Sequence, residues 1–268
     1  MVSNLSIVFM SITAIISIGL PLVLFLVWRR KYGLKIVPML VGMAAFIVFA
    51  LVLEQLLHAV VLRAGADGKI ALMAYSPLLF VLYGAFAAGV FEETARFISF
   101  QLLKKKYGGV GTGLSYGIGH GGIEAILLVG LTMISNIVFS ALINSGNTAV
   151  LGSDPSIAAS IDTLIQTDST MFLLGGFERV LAVAVQISLS MLVWCAVKVK
   201  GKAWLYPVAI LLHAAIDTPA AMYQAGIIKN LYVVYTPMLV PILVSAFAAW
   251  KVCGILERNS EGELSSDA

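Results

Sequence analysis

The chain consists of long apolar runs separated by short polar breaks. The runs lie near residues 5–28, 36–62, 71–103, 110–144, 170–198, 203–222 and 230–254. An α-helix needs about 20 residues to cross roughly 30 Å of hydrocarbon, and every run reaches that length. The pattern therefore predicts an all-α protein, a polytopic transmembrane helix bundle with about seven spans.

Two of the runs are longer than one straight span requires. For 71–103 and 110–144 we expect tilt, a kink near Pro77, or helix that leaves the membrane.

The composition agrees with a membrane protein, since 60% of the residues are hydrophobic, 12% are charged and the mean hydropathy is +0.99. A water-soluble domain cannot bury that much apolar surface. We predict one integral domain at 1–256, in a cell membrane, and a polar, disordered cytoplasmic tail at 257–268.

Basic residues collect on one side of the predicted bundle. Twelve of the 17 lie at the ends of spans one, three, five and seven: Arg29, Arg30, Lys31, Lys35, Lys104, Lys105, Lys106, Lys198, Lys200, Lys202, Lys251 and Arg258. The connections on the other side hold Arg63, Lys69 and Lys229. The positive-inside rule then places the N-terminus outside and the C-terminus in the cytoplasm.

The longest connection, between Asn144 and Asp168, holds no basic residue and predicts a short helix on the outer surface. Asp154 and Pro155 suit an N-cap and a first helical position. The apolar residues Ile157, Ile161, Leu164 and Ile165 share one face of this helix.

The remaining features of the sequence limit the kinds of partner that we expect. The sequence has no phosphate-binding glycine loop and no basic patch with aromatic spacing, so nucleic acid is not an expected partner. The lipid bilayer is an expected partner. Cys195 and Cys253 lie at predicted cytoplasmic ends of spans, where a disulfide framework is not expected.

Ionisable residues inside the spans carry the functional information. A charge in hydrocarbon costs several kcal/mol, so such residues are retained mainly where they form ion pairs or have a functional role. Counted from the cytoplasmic anchors, Glu92, His120 and His213 lie at one level, roughly 15–18 Å deep. Within about one turn of that level lie Glu93, Arg96, Glu124, Gln186 and Asp217. A second set lies roughly 28–34 Å from the anchors and is predicted to be separate, interfacial or structural: Glu54, His58, Glu178 and Arg179.

Spacing within the deep set suggests how its members interact. Three pairs are spaced i,i+4, namely Glu92 with Arg96, His120 with Glu124, and His213 with Asp217. Side chains at this spacing share a helix face. Arg96 would then hold Glu92 ionised, and the two other carboxylates would orient the imidazoles.

A carboxylate facing two histidines has two chemical uses. It can activate water in a site that excludes bulk solvent. It can also bind one divalent metal such as zinc, with Glu92, His120 and His213 as ligands and water in the fourth position. The His-Glu-x-x-His helix of zinc proteases is absent from the sequence, and both uses stay open.

Other function classes use the same kind of cluster. A proton-coupled transporter or channel also displays buried Glu and His residues. Transporters commonly contain duplicated halves, and residues 1–130 do not correspond to 131–268. A non-enzymatic membrane binder, with the cluster as a structural salt-bridge network, is the third class.

Three motifs resemble one protease superfamily. The Glu-Glu-x-x-Arg run at 92–96 resembles the signature of the intramembrane proteases typified by the CAAX-prenyl endopeptidase and the bacteriocin-processing proteins. His120, in the glycine-rich segment 117–124, and His213, in 213–217, resemble the second and third motifs in the same order. The chain as a whole is most similar to the YhfC-type membrane peptidases of bacteria.

The resemblance implies an intramembrane protease, glutamic-type or metal-dependent, that hydrolyses a protein or peptide substrate in the membrane. Glu92 would be the base that activates water, with Glu93 beside it in support. His120 and His213 would share proton transfer and oxyanion stabilisation. The chain departs from the CAAX-type pattern at Asp217, where Asn is usual, and at Tyr116, where Phe is usual. An ionised Asp cannot donate to an oxyanion, so Asp217 is expected to orient His213 or to stay protonated.

Overall fold

The computed structural model describes residues 1–65, 69–147 and 155–266, with side chains for the same ranges except 155–156 and 259–266. Over these ranges the chain forms eleven α-helices and two π-helical segments. The α-helices are α1 Asn4–Tyr32, α2 Ile36–Phe46, α3 Gln55–Val61, α4 Ala71–Tyr75, α5 Pro77–Leu103, α6 Gly109–Glu124, α7 Leu131–Asn144, α8 Pro155–Gln166, α9 Ser169–Lys198, α10 Leu205–Gln224 and α11 Leu231–Ser266. The π-helical segments are Ile47–Glu54 and Ala125–Gly130.

Seven helical stretches in the described part of the chain are long and apolar enough to cross a membrane. They are Asn4–Tyr32, Ile36–Val61, Pro77–Leu103, Gly109–Asn144, Ser169–Lys198, Leu205–Gln224 and Leu231–Arg258. The predicted all-α, multi-pass fold is therefore confirmed. The N-outside orientation stays a prediction.

The two overlong runs are accommodated differently. The third run is interrupted at Ser76, where α4 ends, and α5 begins at Pro77, so the span itself starts six residues later than predicted. Proline at the first helical position loses no hydrogen bond, and the Ser76 side chain accepts one from the Leu79 N–H at 3.4 Å. The fourth run is one continuous helical stretch from α6 to α7, with a π-helical segment in its middle.

Helix α9 lies at the centre of the bundle. It packs against α1, α5, α6, α10 and α11, and 72% of its most apolar 18-residue window is buried. Helix α6 packs closely against α9 at Gly117, where an added Cβ atom would lie only 2.7 Å from the Ile187 Cα. Small residues at such a contact allow the backbones of two spans to approach. The close α6–α9 contact places the polar residues of both helices side by side.

Helix α8 and the C-terminal part of α11 differ in part from the sequence-based expectations. The predicted N-cap Asp154 lies outside the described residues, whereas α8 follows as expected. On α8, Leu164 is buried in an apolar cluster with Phe172, but Ile165 is 38% exposed and lies off the packed face. The backbone of α11 continues as helix to Ser266, beyond the predicted boundary at residue 256. The domain boundary and the disorder of 257–268 stay predictions.

We expect single cysteines at Lys105 and Lys200 to react with a membrane-impermeant maleimide only from the cytoplasmic side, and one at Thr163 only from outside. The physical reason is the asymmetry of Lys and Arg between the two sides. The measurement compares intact cells with inverted vesicles. Cys253→Ser provides the background, since the remaining native thiol, Cys195, is buried. Labelling of the Thr163 cysteine only in inverted vesicles would reverse the topology.

Candidate active site within the membrane

Three spans bring Glu92, His120 and His213 together. They come from α5, α6 and α10 respectively. The His120 Nε2 lies 2.9 Å from the Glu92 Oε2, and the His213 Nε2 lies 4.0 Å from the Glu92 Oε1. The Glu92 carboxylate therefore stands between the two imidazoles, with a different oxygen toward each.

The two oxygens of Glu92 have different surroundings. The Oε2 accepts from the Gln186 Nε2 at 3.1 Å and from the Arg96 Nη2 at 3.5 Å, in addition to its contact with His120. The Oε1 faces the Nε2 of His213. Three partners thus hold one oxygen in place and leave the other directed toward His213.

Glu93 fixes the orientation of His213. Its side chain is fully buried, and its Oε1 lies 2.7 Å from the His213 Nδ1 and accepts from the Arg96 Nη1 at 2.5 Å. The His213 Nε2 consequently points toward Glu92 and lies 3.4 Å from the Asp217 Oδ2, as the i,i+4 spacing predicts. A hydrogen bond at one ring nitrogen selects the tautomer and the direction of the other nitrogen.

Arg96 does not bind its i,i+4 partner most closely. Its shortest carboxylate contact, at 2.5 Å, is with Glu93 at i,i+3, whereas Glu92 lies at 3.5 Å. The guanidinium also donates to the Gln186 Oε1 and, at 3.2 Å, to the Ser190 hydroxyl. Both of these partners come from α9, so the direction of the guanidinium is decided by the packing of α5 against α9.

The expected pairing of His120 with Glu124 is wrong. The His120 ring turns toward α5 because it lies edge-on to Phe46 at 5.2 Å and stacks on Tyr116 at 5.9 Å between centroids. Its Nε2 then reaches Glu92, and its Nδ1 has no hydrogen-bond partner among the described residues. His120 is therefore oriented by ring packing rather than by a carboxylate on its own helix.

Glu124 instead joins the deep set to part of the set predicted to be separate. The Gln186 Nε2 contacts both the Glu92 Oε2 and, at 2.6 Å, the Glu124 Oε2. Arg179 donates to Glu124 at 3.0 Å and to Glu178 at 2.6 Å. The prediction of two separate sets is wrong for Glu178 and Arg179. The depth estimate counted backbone positions only. It left out the length of the Glu and Arg side chains, each of which spans a distance of about one helical turn.

Glu54 is the functional candidate that the sequence interpretation missed. It was predicted to be interfacial, yet it is 6% exposed and interacts electrostatically with Glu92, His213 and Asp217. It is the last residue of a π-helical segment, whose extra residue per turn lowers the rise and rotates the following side chains. A carboxylate in the middle of an apolar run was the available signal.

His58 connects Glu54 to a neighbouring span. The His58 Nε2 lies 3.3 Å from the Glu54 Oε1, and its Nδ1 lies 2.8 Å from the Tyr83 hydroxyl. The His58 side chain is 23% exposed. This hydrogen-bonded chain leads from a partly exposed imidazole to a buried carboxylate beside the site.

A cavity of about 160 Å³ gives access to the site. Its polar lining consists of Glu92, Glu124, Glu178, Arg179, Gln186, His213, Asp217 and Tyr235. Its apolar lining comes mainly from α9, α10 and α11, including Ile216 and Met238. Side chains of this mixed character can receive a short piece of peptide and exclude bulk water.

The predicted metal ligands can be tested on the same geometry. Glu92, His120 and His213 have donor types that zinc accepts, and a carboxylate such as Glu93 on the far nitrogen of His213 is usual for a metal-binding histidine. The Nε2 of His120, however, bonds directly to the Glu92 Oε2 instead of sharing a centre with it. In the described ranges, no three or more His, Cys, Asp or Glu side chains converge as a metal would require. The predicted ligand set does not fit a metal in this arrangement.

Comparison with known proteins agrees with the motifs and with the fold. The model of the YhfC intramembrane metalloprotease family matches residues 15–237, a range that includes Glu92, His120 and His213. The uncharacterized membrane protein YhfC of Bacillus subtilis (strain 168) is 38% identical over 261 residues, which cover 96% of this chain and 98% of that protein. No solved structure gives a significant match. The chain therefore belongs to the YhfC intramembrane metalloprotease family of multi-pass membrane proteins.

Proposed function

We propose that the chain is an intramembrane protease in which Glu92 activates water to hydrolyse a peptide bond of a membrane-associated or membrane-entering substrate. Membership of the family supports a membrane protease in general. The observation that carries the proposed chemistry is the asymmetry of Glu92. One of its oxygens is held by three partners, and the other faces an oriented imidazole.

Water activation takes place between Glu92 and His213. The 4.0 Å between the Glu92 Oε1 and the His213 Nε2 is too long for a direct hydrogen bond and short enough for one water molecule to contact both groups. Such a water would donate to the Oε1. Glu92 takes its proton as the oxygen attacks the substrate carbonyl carbon, which gives a tetrahedral intermediate.

His213 stabilises the negative charge that develops on the carbonyl oxygen. Both of its ring nitrogens face carboxylates, Glu93 at the Nδ1 and Asp217 at the Nε2. Both nitrogens donate at once only when the ring carries two protons. The Nε2–H of that imidazolium lies 3.4 Å from Asp217, and it exchanges this long contact for one with the oxyanion, in a buried site where such a contact is strong. Asp217 orients the ring, as expected for an acidic residue at this position.

Collapse of the intermediate completes the balance of protons. The C–N bond breaks, and the proton that Glu92 took from water passes to the leaving amine nitrogen. Glu92 returns to its ionised form, and one water has been consumed for each peptide bond. His120, Arg96 and Gln186 keep their contacts with the carboxylate throughout and fix its direction.

The graded exposure of side chains along the cavity is an argument for a peptide substrate. The exposed side-chain fractions rise from 10% at Glu92 to 37% at Asp217 and 41% at Glu178. The Tyr235 hydroxyl donates to Glu178 at 3.1 Å and ties α11 to α9 across this space. A peptide in the cavity would reach the buried base from its more exposed end.

The first prediction concerns the base. Glu92→Gln and His213→Ala should each lower proteolysis by roughly 10²–10⁴-fold, because a general base and an oxyanion donor contribute about that much. The measurement is a proteomic search for new peptide termini in membranes that contain each protein. Asp162→Asn, on the exposed face of α8, is the matched control and should cleave like wild type.

Thermal unfolding of the same purified variants separates chemistry from folding. Glu92→Gln keeps the shape of the side chain, so its melting temperature should stay near that of wild type. Wild-type cleavage by a folded Glu92→Gln protein would rule out Glu92 as the base. An absence of substrate termini in wild-type membranes, with specific solute uptake instead, would favour a proton-coupled transporter.

The second prediction concerns Arg96. Arg96→Leu should lose about 3–5 kcal/mol of stability, because it leaves buried carboxylates without their cation. Arg96→Lys should be intermediate, since it keeps the charge and loses the planar two-pronged contact. Thermal unfolding in detergent measures both. Arg63→Leu, the same change at an exposed position, should have little effect. Equal melting temperatures for Arg96→Leu and wild type would mean that the guanidinium does not hold the site together.

The third prediction concerns the metal that the family's description names. Because the Nε2 of His120 bonds directly to Glu92, one predicted ligand to another, we expect proteolysis by the purified protein to persist after dialysis against a strong chelator. Metal content should not differ between wild type and His213→Ala by elemental analysis. Loss of activity on chelation, restored by one equivalent of zinc, would show that the catalytic state has a different arrangement of these ligands.

A further inference from the structure

A second cavity lies at the basic end of the bundle, away from the candidate active site. Its volume is about 580 Å³, and it is bordered by the end of α1, the beginning of α6 and the later part of α11. Its walls include Trp28, Tyr32, Val110, Leu114, Lys251 and Arg258. We call it the basic-end groove. Nothing in the proposed hydrolysis uses it.

The basic-end groove has cations without matching anions. The Lys251 Nζ lies 4.7 Å from the Trp250 ring centroid and 5.3 Å from that of Phe247, so aromatic faces rather than carboxylates support it. Among the described side chains, neither Lys251 nor Arg258 forms an ion pair. Within the described part of the chain, Glu257 is the single carboxylate in the lining. The groove therefore presents a net positive charge.

Its position matches the headgroup level of a bilayer. Helix α1 ends with Arg29, Arg30 and Lys31 in its last turn, directly beside Trp28 and Tyr32 of the groove. Indole and phenol rings concentrate at the boundary between hydrocarbon and water, and basic residues lie just beyond it. The groove thus lies where lipid phosphates lie, with the apolar side chains of Val110 and Leu114 on one wall.

We infer that the basic-end groove binds one anionic glycerophospholipid. Lys251 and Arg258 contact the headgroup phosphate, because they are the two cations of the lining and neither pairs with a carboxylate among the described side chains. Val110 and Leu114 contact the glycerol and the start of the acyl chains. A soluble phosphate would use only the cations, whereas a lipid uses the apolar wall as well, and basic pockets between spans are known to hold anionic headgroups. Through this lipid the ends of α1, α6 and α11 are joined.

The test uses the full-length protein and compares three ligands. Thermal unfolding in mild detergent is followed during titration with phosphatidylglycerol, phosphatidylcholine or inorganic phosphate, and native mass spectrometry counts the lipids retained. We expect wild type to be stabilised by phosphatidylglycerol alone, with one retained lipid per chain. In Lys251→Gln/Arg258→Gln the affinity should fall at least about tenfold, since each basic residue contributes to attraction of an anionic lipid.

The matched control is Lys104→Gln/Lys105→Gln, which removes the same charge at the same end of the bundle but outside the groove. It should bind phosphatidylglycerol like wild type. Equal loss in both double variants would assign the effect to general surface potential and overturn the inference. Equal stabilisation by phosphatidylcholine would also overturn it, and so would equal stabilisation by inorganic phosphate, which would indicate a site for a soluble anion.

Discussion

The guanidinium of Arg96 makes the contacts on which the candidate site depends. It is fully buried in the membrane domain and contacts Glu93, Glu92, Gln186 and Ser190. An unpaired charge at this depth would be very costly, so the guanidinium and Glu93, the carboxylate that it contacts most closely, stabilise each other. Two of the four partners lie on α9, so the ion network forms only when α5 packs correctly against the central helix. The candidate site is therefore complete only in the assembled bundle.

Close helix packing makes this network possible. A Cβ added at Gly121 would lie 2.7 Å from the Cβ of Gln186, so α6 and α9 touch at the residue that links Glu92 to Glu124. Without a hydrophobic effect between spans, close contact and hydrogen bonds provide most of the attraction. The glycine-rich face of α6 therefore helps to form the candidate site, since it lets His120 and Gln186 reach the same carboxylate.

The site is larger than the three residues that would carry the chemistry. Hydrogen bonds extend from Glu92 through Gln186 and Glu124 to Arg179. Each π-helical segment adjoins one of the two flanking carboxylates, Glu54 and Glu124. Local π-helical turns commonly occur at functional sites because they redirect side chains without ending the helix. Here they lie in the two spans that carry Glu54 and Glu124.

The sequence by itself determined the spans and the shared level of Glu92, His120 and His213, because hydrocarbon thickness and helical rise turn residue numbers into depth. The three motifs also identified the family. Only the tertiary structure decided the pairings. Arg96 prefers Glu93 to Glu92, and His120 turns away from its own i,i+4 neighbour Glu124. These choices depend on which side chains of α2 and α9 fill the space beside α5 and α6. Spacing along one helix carries no information about that space, whereas packing between helices sets it.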